Sequence, residues 1–450
     1  MDSVESIRKA NLYRVVYLGV CNMTLFIAHS ASQNLMPQIY KQLGYGRLGQ
    51  INFFILYFGI MMASIVATHY HKKIPVKTGL LVSISTRISL IFAGFLATYC
   101  DKYEVEGGLC NSGFIVGLNV IGSTFFGITT SLYWLWQGIY VNECADASVK
   151  GTFNGIFTSF IASSGILSYI IATVALGKTD KFTFYCVLLV FAAIAFVLFL
   201  FIKPPIPYET AKEPLQVPEK TLAESLKTFS DVLQKPRYFF VFFVMVFSGV
   251  GGSFFCSYLG IAVSSTIDST DQNVINEGVA FVFILLSVGG VSTGLVIGRI
   301  ADKYDKVKIL GYTMLGVQCA IMVTLLATVL GSYKVAVLSG ILWGISDTSI
   351  NTVISIVIGS RFNGAPELFS AYRFLNGVGC IFTTALGISM AKEAQIFYIV
   401  VIVGALFVLQ HHYYKYEPIK DQRGESLLKM QEEKLLLEMK EMHSHRASIV

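Results

Sequence analysis

The groups in this chain that could do chemistry are charged and amide side chains stranded in apolar sequence. Asp347 and Asn351 stand one helical turn apart in ILWGISDTSINTVISIV, so a helix there presents both on one face. A carboxylate and an amide so placed can hold a coupling ion or a polar solute; they can equally hydrogen-bond to neighbouring helices and fix packing. Arg373 follows in FSAYRFLNGVG and Arg87 precedes in LLVSISTRISLIFAGFL. At a helix centre such charges cost about 2.5–3.5 kcal/mol each on insertion scales, so each needs a partner or a wet cavity. Arg373 starts near a charged helix end, which favours pairing with Asp302 over reaching Asp347 through water. The sequence names no partner for Arg87. In the first apolar stretch His29, Ser32, Gln33 and Asn34 form a polar run before Pro37, which should end or kink the helix. That run suits a cavity wall, and it also suits helix–helix hydrogen bonding.

The elements that position these groups must be membrane-spanning helices. The 450 residues are 54% hydrophobic and 14% charged, more apolar surface than one soluble core of that length would bury. About a dozen stretches of roughly 20 residues, the length that crosses a bilayer, lie between charge clusters, from 14–36 at the start to 394–414 at the end. The start, MDSVESIRKANLYR, has no signal-peptide cleavage pattern, so the first span is expected to insert uncleaved. Assigning loops alternately to two sides places most of the 34 Lys and Arg with both termini, which puts those termini on the cytosolic (or matrix) side. Cys100 and Cys110 flank DKYEVEGGL on the opposite side, where a disulfide between them is possible. The sequon at Asn22 lies inside the first span, out of reach of glycosylation.

The segment 203–236 is rich in Pro, Lys and Glu and separates an N-terminal half, 1–202, from a C-terminal half, 237–414. Its Leu222, Leu226, Phe229 and Leu233 fall at helical spacing, which predicts a surface helix over about Thr221 to Leu233. HYHKKIPVKTGLL after the second span is similar to DKYDKVKILGYTML after the eighth, as a duplicated half requires. A tail at 415–450 follows, with Leu428, Leu435, Met439 and Met442 on one stripe of an amphipathic helix over 420–443.

Gly298-Arg299-Ile300-Ala301-Asp302-Lys303, followed by Asp305-Lys306-Val307-Lys308, resembles the loop signature of the major facilitator superfamily without its second glycine. Gly298 would let two helices approach closely. Asp302 would accept from the N-terminus of a neighbouring helix or pair with a base, forming a cytosolic latch with Arg299 and Lys303 alongside. The plainer reading is a basic loop with an incidental aspartate. The first-half counterpart, Ala67 to Lys73, has neither the glycine nor the aspartate.

Trp134-Leu135-Trp136-Gln137-Gly138-Ile139-Tyr140 and Lys150-Gly151-Thr152-Phe153-Asn154-Gly155-Ile156-Phe157 resemble the Unc-ninety-three family. So do Asn11-Leu12-Tyr13-Arg14, Gln33-Asn34-Leu35 and Gly344 through Thr352; Ser163 to Ser168 departs from that family's Gly-Asn-type pair. The resemblance implies an all-α integral membrane protein of about twelve transmembrane helices, with the major facilitator superfamily fold in two six-helix pseudo-repeats. In that fold the first, fourth, seventh and tenth helices line a central cavity. It implies for function a non-catalytic accessory or regulatory partner of another membrane protein or complex, docked through helix faces or the 420–443 helix. The alternative is a secondary-active small-solute or ion-coupled transporter working by alternating access. Trp134, Trp136 and Tyr140 are expected as interfacial anchors or packing residues.

No Gly-x-x-x-x-Gly-Lys-(Ser/Thr) loop, Cys-x-x-Cys pair, His-Glu-x-x-His or Gly-x-Ser-x-Gly elbow occurs, so neither an enzyme nor a cofactor is expected. His411 and His412 have no third ligand at a defined spacing, so no metal is expected. The net charge of +6 is spread over loops flanking the spans, which fits lipid contact and not nucleic acid.

Overall fold

In hydrocarbon only a helix satisfies its backbone N–H and C=O groups within its own segment, so the long apolar runs become helices. The computed structural model describes residues 2–70, 73–146, 148–208, 221–234, 239–361 and 366–389. The first half holds α1 (Asp2–Gln42), α2 (Leu48–Tyr70), α3 (Val76–Lys102), α4 (Ser112–Cys144), α5 (Lys150–Lys178) and α6 (Lys181–Phe199). The linker carries α7 (Leu222–Leu233). The second half holds α8 (Phe239–Phe254), a π turn (Phe255–Leu259), α9 (Gly260–Ser264), α10 (Gln272–Lys303), α11 (Lys306–Leu330), α12 (Tyr333–Arg361) and α13 (Pro366–Ser389). Among the described residues ten helical segments are long and apolar enough to cross a membrane, α8 and α9 counting as one. The bundle helix α13 packs on α2 and α8. The expected span 394–414 and the tail with its 420–443 helix lie outside the described residues.

Helix ends fall where the sequence supplies caps. Asn111, Asp180 and Asp305 accept backbone N–H groups at 2.9–3.0 Å and open α4, α6 and α11. Gly331 closes α11 in the left-handed region at φ +59°, where a side chain would be strained. Thr221 and Glu224 form a reciprocal capping box on α7. The α7 stripe docks only in part: Phe229 is buried with its ring 5.7 Å from Phe374, whereas Leu222 and Leu226 are exposed. Pro37 does not end α1, which continues to Gln42; a Cβ on Gly49 would meet the Pro37 backbone at 2.5 Å, so α2 packs directly over it.

Each half packs within itself, and the halves meet along two seams, α5 with α10 and α2 with α13. The start of α1 and the α2–α3, α4–α5 and α10–α11 turns share one end of the bundle, here called the basic face. There Arg8 pairs with Asp146 at 2.7 Å, and Asn11 exchanges two hydrogen bonds of 2.9 Å with Ile206, tying the linker back onto α1. Burial raises the Asp146 carboxyl, but hydrogen bonds from Ser148 and Arg8 outweigh it and hold the group below the usual carboxylate range.

On the opposite face Cys100 and Cys110 are disulfide-bonded, closing a separation of ten residues. A loop of that length restrains the unfolded chain by about 2–3 kcal/mol on the chain-entropy view. Cys110→Ser should therefore lower the thermal midpoint in detergent by a few degrees, with the fold retained. A midpoint that does not move, in scanning fluorimetry of oxidised against substituted protein, would show that the bridge carries no stability.

Candidate functional site

Between the two seams lies a cavity of about 340 Å³. All the helices expected to line a centre contribute to it: α1 through His29, Gln33 and Asn34, α4 through Trp134 and Gln137, α8 through Ser248, and α12 through Asp347 and Asn351. The π turn after α8 adds Phe255 and Cys256. An extra residue in the turn rotates the side chains that follow it, and such turns concentrate at working sites. This feature has no sequence signature here.

Asp347 is half-buried. Its Oδ1 accepts from Asn351 Nδ2 at 2.9 Å, and Asn351 Oδ1 accepts from the Tyr372 hydroxyl. Arg373 also lines the cavity, its guanidinium 4.8 Å from the Trp134 ring and 4.4 Å from the Tyr372 ring. The expected pairing of Arg373 with Asp302 is therefore corrected: Arg373 lies in the central cavity, and Asp302 is engaged elsewhere. Asn34 donates to the Tyr169 hydroxyl.

Of the aromatic residues of α4, one departs from expectation and two are packing residues as expected. Trp134 is cavity wall, and Trp136 is fully buried against Gly79, where only a hydrogen leaves room for its ring. Tyr140 is buried and donates to the Lys203 carbonyl at 2.6 Å. Gln137 donates to Asn22 Oδ1 at 2.5 Å, beside the Tyr133 hydroxyl at 2.7 Å, which knots α4 to α1. Gly138 admits the Phe369 ring of α13; a Cβ there would meet it at 2.8 Å.

Toward the basic face the cavity ends at the crossing of α5 and α10. Gly151 and Gly155 of α5 lie against Gly294 and Gly298 of α10, and a Cβ on Gly298 would stand 2.3 Å from the Gly151 carbonyl. Because the backbones touch, the Asp302 carboxylate reaches the start of α5. Oδ1 accepts from Gly151 N at 2.8 Å, and Oδ2 accepts from Thr152 N and Thr152 Oγ1, each at 2.9 Å. An anion at a helix N-terminus meets both unsatisfied N–H groups and the positive end of the helix dipole. Arg299 and Lys303 are exposed and are not among the partners of these three bonds. Nearby, Lys150 Nζ donates to the Gly359 carbonyl at 2.8 Å, a further bond between the halves.

Residues 18–384 match the family description Major Facilitator Superfamily. The chain belongs to the major facilitator superfamily. Among solved structures of that fold, the proton:xylose symporter XylE, bound to 6-bromo-6-deoxy-D-glucose, is similar with a TM-score of 0.64. The two are 11% identical, over 92% of this chain and 98% of that one. A variant of the nucleoside transporter NupG is similar with a TM-score of 0.63 and 11% identity, over 88% of this chain and 99% of that one. A search of curated protein sequences finds no match.

Beside this major facilitator cavity lies a second buried charge. Arg87 is 1% exposed on α3, and its guanidinium carbon sits 4.8, 5.0 and 4.4 Å from the rings of Phe26, Phe126 and Tyr133. Its Nε and Nη1 have no hydrogen-bond partner. The partner that the sequence could not name is thus an aromatic cage. Three cation–π contacts contribute about 0.5–2 kcal/mol each, against a desolvation penalty of several kcal/mol, so the two roughly cancel. Arg87→Met should leave the thermal midpoint in detergent unchanged or raised. A drop of more than about 5 °C would mean that the charge stabilises the fold.

Proposed function

We propose that this protein is a secondary-active transporter of a small solute, working by alternating access. One observation carries the reading: a cavity between the two halves is lined by an Asp347 carboxylate and an Arg373 guanidinium, and on its basic-face side the halves are tied by the Asp302 carboxylate on the start of α5. Membership of the major facilitator superfamily supports it, as do the symporter and the nucleoside transporter among its structural neighbours.

Asp347 and Asn351 are the coupling or substrate groups, with Arg373, Gln33 and Asn34 in the same cavity. Gly298 and Asp302 form the latch with Gly151 and Gly155. The basic face is the cytosolic one: it carries the loops rich in Lys and Arg, and the Cys100–Cys110 bridge lies at the other end, as a disulfide on the non-cytosolic side would. The finer placement in the Unc-ninety-three family rests on the α4–α5 and α12 motifs. The accessory role that placement implies would use helix faces or the 420–443 helix.

Reconstitution of the full chain in proteoliposomes, with counterflow of a panel of small solutes, tests the proposal. Saturable exchange above protein-free vesicles is expected. Absence of exchange across the panel, together with a stoichiometric membrane partner on gentle-detergent purification, would replace transport by the accessory role.

A further inference from the structure

The central cavity holds two opposite charges that the protein does not use on each other. Asp347 and Arg373 both line it, yet the ion pairs within 4 Å among the described residues are Arg8–Asp146 and Lys102–Asp180. Asp347 Oδ1 accepts from Asn351, while its Oδ2 takes no hydrogen bond from the described residues. Arg373 Nε is buried without an acceptor, and the guanidinium rests on two rings, Trp134 and Tyr372.

Opposite charges in a small, poorly solvated space attract strongly, so keeping them apart requires a brace. The brace is visible: the Tyr372 hydroxyl donates to Asn351, the Asn351 amide donates to Asp347, and the ring of the same Tyr372 carries the guanidinium. Carboxylate and guanidinium are thus held at two ends of one rigid linkage, each with capacity to spare.

We propose that the cavity takes a small zwitterion of the α-amino-acid kind, its ammonium on Asp347 and its carboxylate on Arg373. This deepens the transporter reading and rests on it. A cation would satisfy Asp347 and be repelled by Arg373; an anion would do the reverse; an uncharged solute would neutralise neither. A zwitterion neutralises both and leaves no net charge inside the bundle, where unpaired charge is expensive. Phe26, Tyr57, Phe157 and Phe255 complete an aromatic wall for an apolar side chain. The volume of about 340 Å³, at the low end for small-molecule sites, matches a single amino acid better than a longer peptide.

Binding is measured on the purified full chain in detergent by ligand-induced thermal shift. The probes are leucine with isoamylamine and 4-methylpentanoate, and phenylalanine with phenethylamine and 3-phenylpropionate; each pair of analogues lacks the carboxylate or the amine. At least one amino acid should bind about tenfold or more tightly than both of its singly charged analogues, because a site built for two charged groups is left with one unpaired. Asp347→Asn should bring the amino acid and the acid to equal affinity, and Arg373→Gln the amino acid and the amine. The comparison on the unsubstituted protein stands even if a variant fails to fold. Preference for neither amino acid, or a preference that both substitutions leave intact, overturns the proposal. Amino-acid binding without uptake in proteoliposomes would uphold this site and overturn the transporter reading. Uptake of another solute without zwitterion preference would do the opposite.

Discussion

Asp302→Ala opens the basic face of the bundle. The Asp302 carboxylate accepts three hydrogen bonds from Gly151 and Thr152 at the α5 N-terminus, all of them between the halves. Hydrogen bonds to a charged acceptor contribute roughly 1.5–3 kcal/mol each in favourable surroundings. Water at this end of the bundle offers replacement bonds, so a net loss of about 2–4 kcal/mol is the reasonable expectation, which moves a two-state ratio by roughly 30- to 1000-fold. The fold itself survives, because the seam below is held by backbone contact at Gly155 and Gly294, which Asp302 does not touch. A cysteine introduced at Thr158, in the cavity wall, reads the change. Its modification by a membrane-impermeant thiol reagent applied at the basic face should rise at least tenfold in Asp302→Ala, and less in Asp302→Asn, whose amide oxygen still accepts. Equal modification rates would mean that the contact is ornamental to the equilibrium.

Asp347→Asn should cut coupled uptake by about one to two orders of magnitude while leaving the protein as stable as before, or more so. The amide has the shape of the carboxylate and can keep its contact with Asn351, but it removes a charge that has no ion-pair partner. Losing a charged contact to solute or coupling ion corresponds to about 1.5–3 kcal/mol, or roughly 10- to 150-fold in uptake at low solute concentration. Removing an unpaired intramembrane charge works in the other direction on folding. Uptake and thermal midpoint measured on the same preparation separate the roles. A fall in both would make Asp347 a packing residue, and unchanged uptake would remove it from the mechanism.

The two features behind these results were legible to different depths. Asp302 could be read because its loop signature couples a glycine to a carboxylate at a fixed helical spacing, and both properties are local. Gly151 and Gly155 stood out as a motif, but that they face Gly294 and Gly298 is a matter of tertiary register, which no spacing within α5 records. Asp347 and Asn351 could be read as one face of one helix. For Arg373 the sequence leaves both the charged end and the cavity open and favours the former, because its depth depends on how far α13 is inserted and on the Trp134 and Tyr372 rings that receive it. Arg87 illustrates the same limit: the rings around this α3 residue come from α1 and α4, and the sequence shows only an arginine in apolar company.

The halves are also unequal in their seams. At the α2–α13 seam Gly377 packs against Met61, and the segment Ala67 to Lys73 that ends α2 holds no carboxylate to match Asp302, so on the transporter reading the latch is built on one side only. Opening at the basic face therefore depends on Asp302 to a degree that a symmetric bundle would not.

Lys77 at the start of α3 and Lys308 at the start of α11 are exposed on the basic face, one in each half. The distance between labels placed there by genetically encoded reactive residues, measured by pulsed dipolar spectroscopy on the protein in nanodiscs, tests alternating access without knowledge of the solute. Two populated distances, with the longer one gaining at the expense of the shorter in Asp302→Ala, are expected. A single narrow distance that Asp302→Ala leaves unchanged would mean a static bundle and contradict the transporter reading.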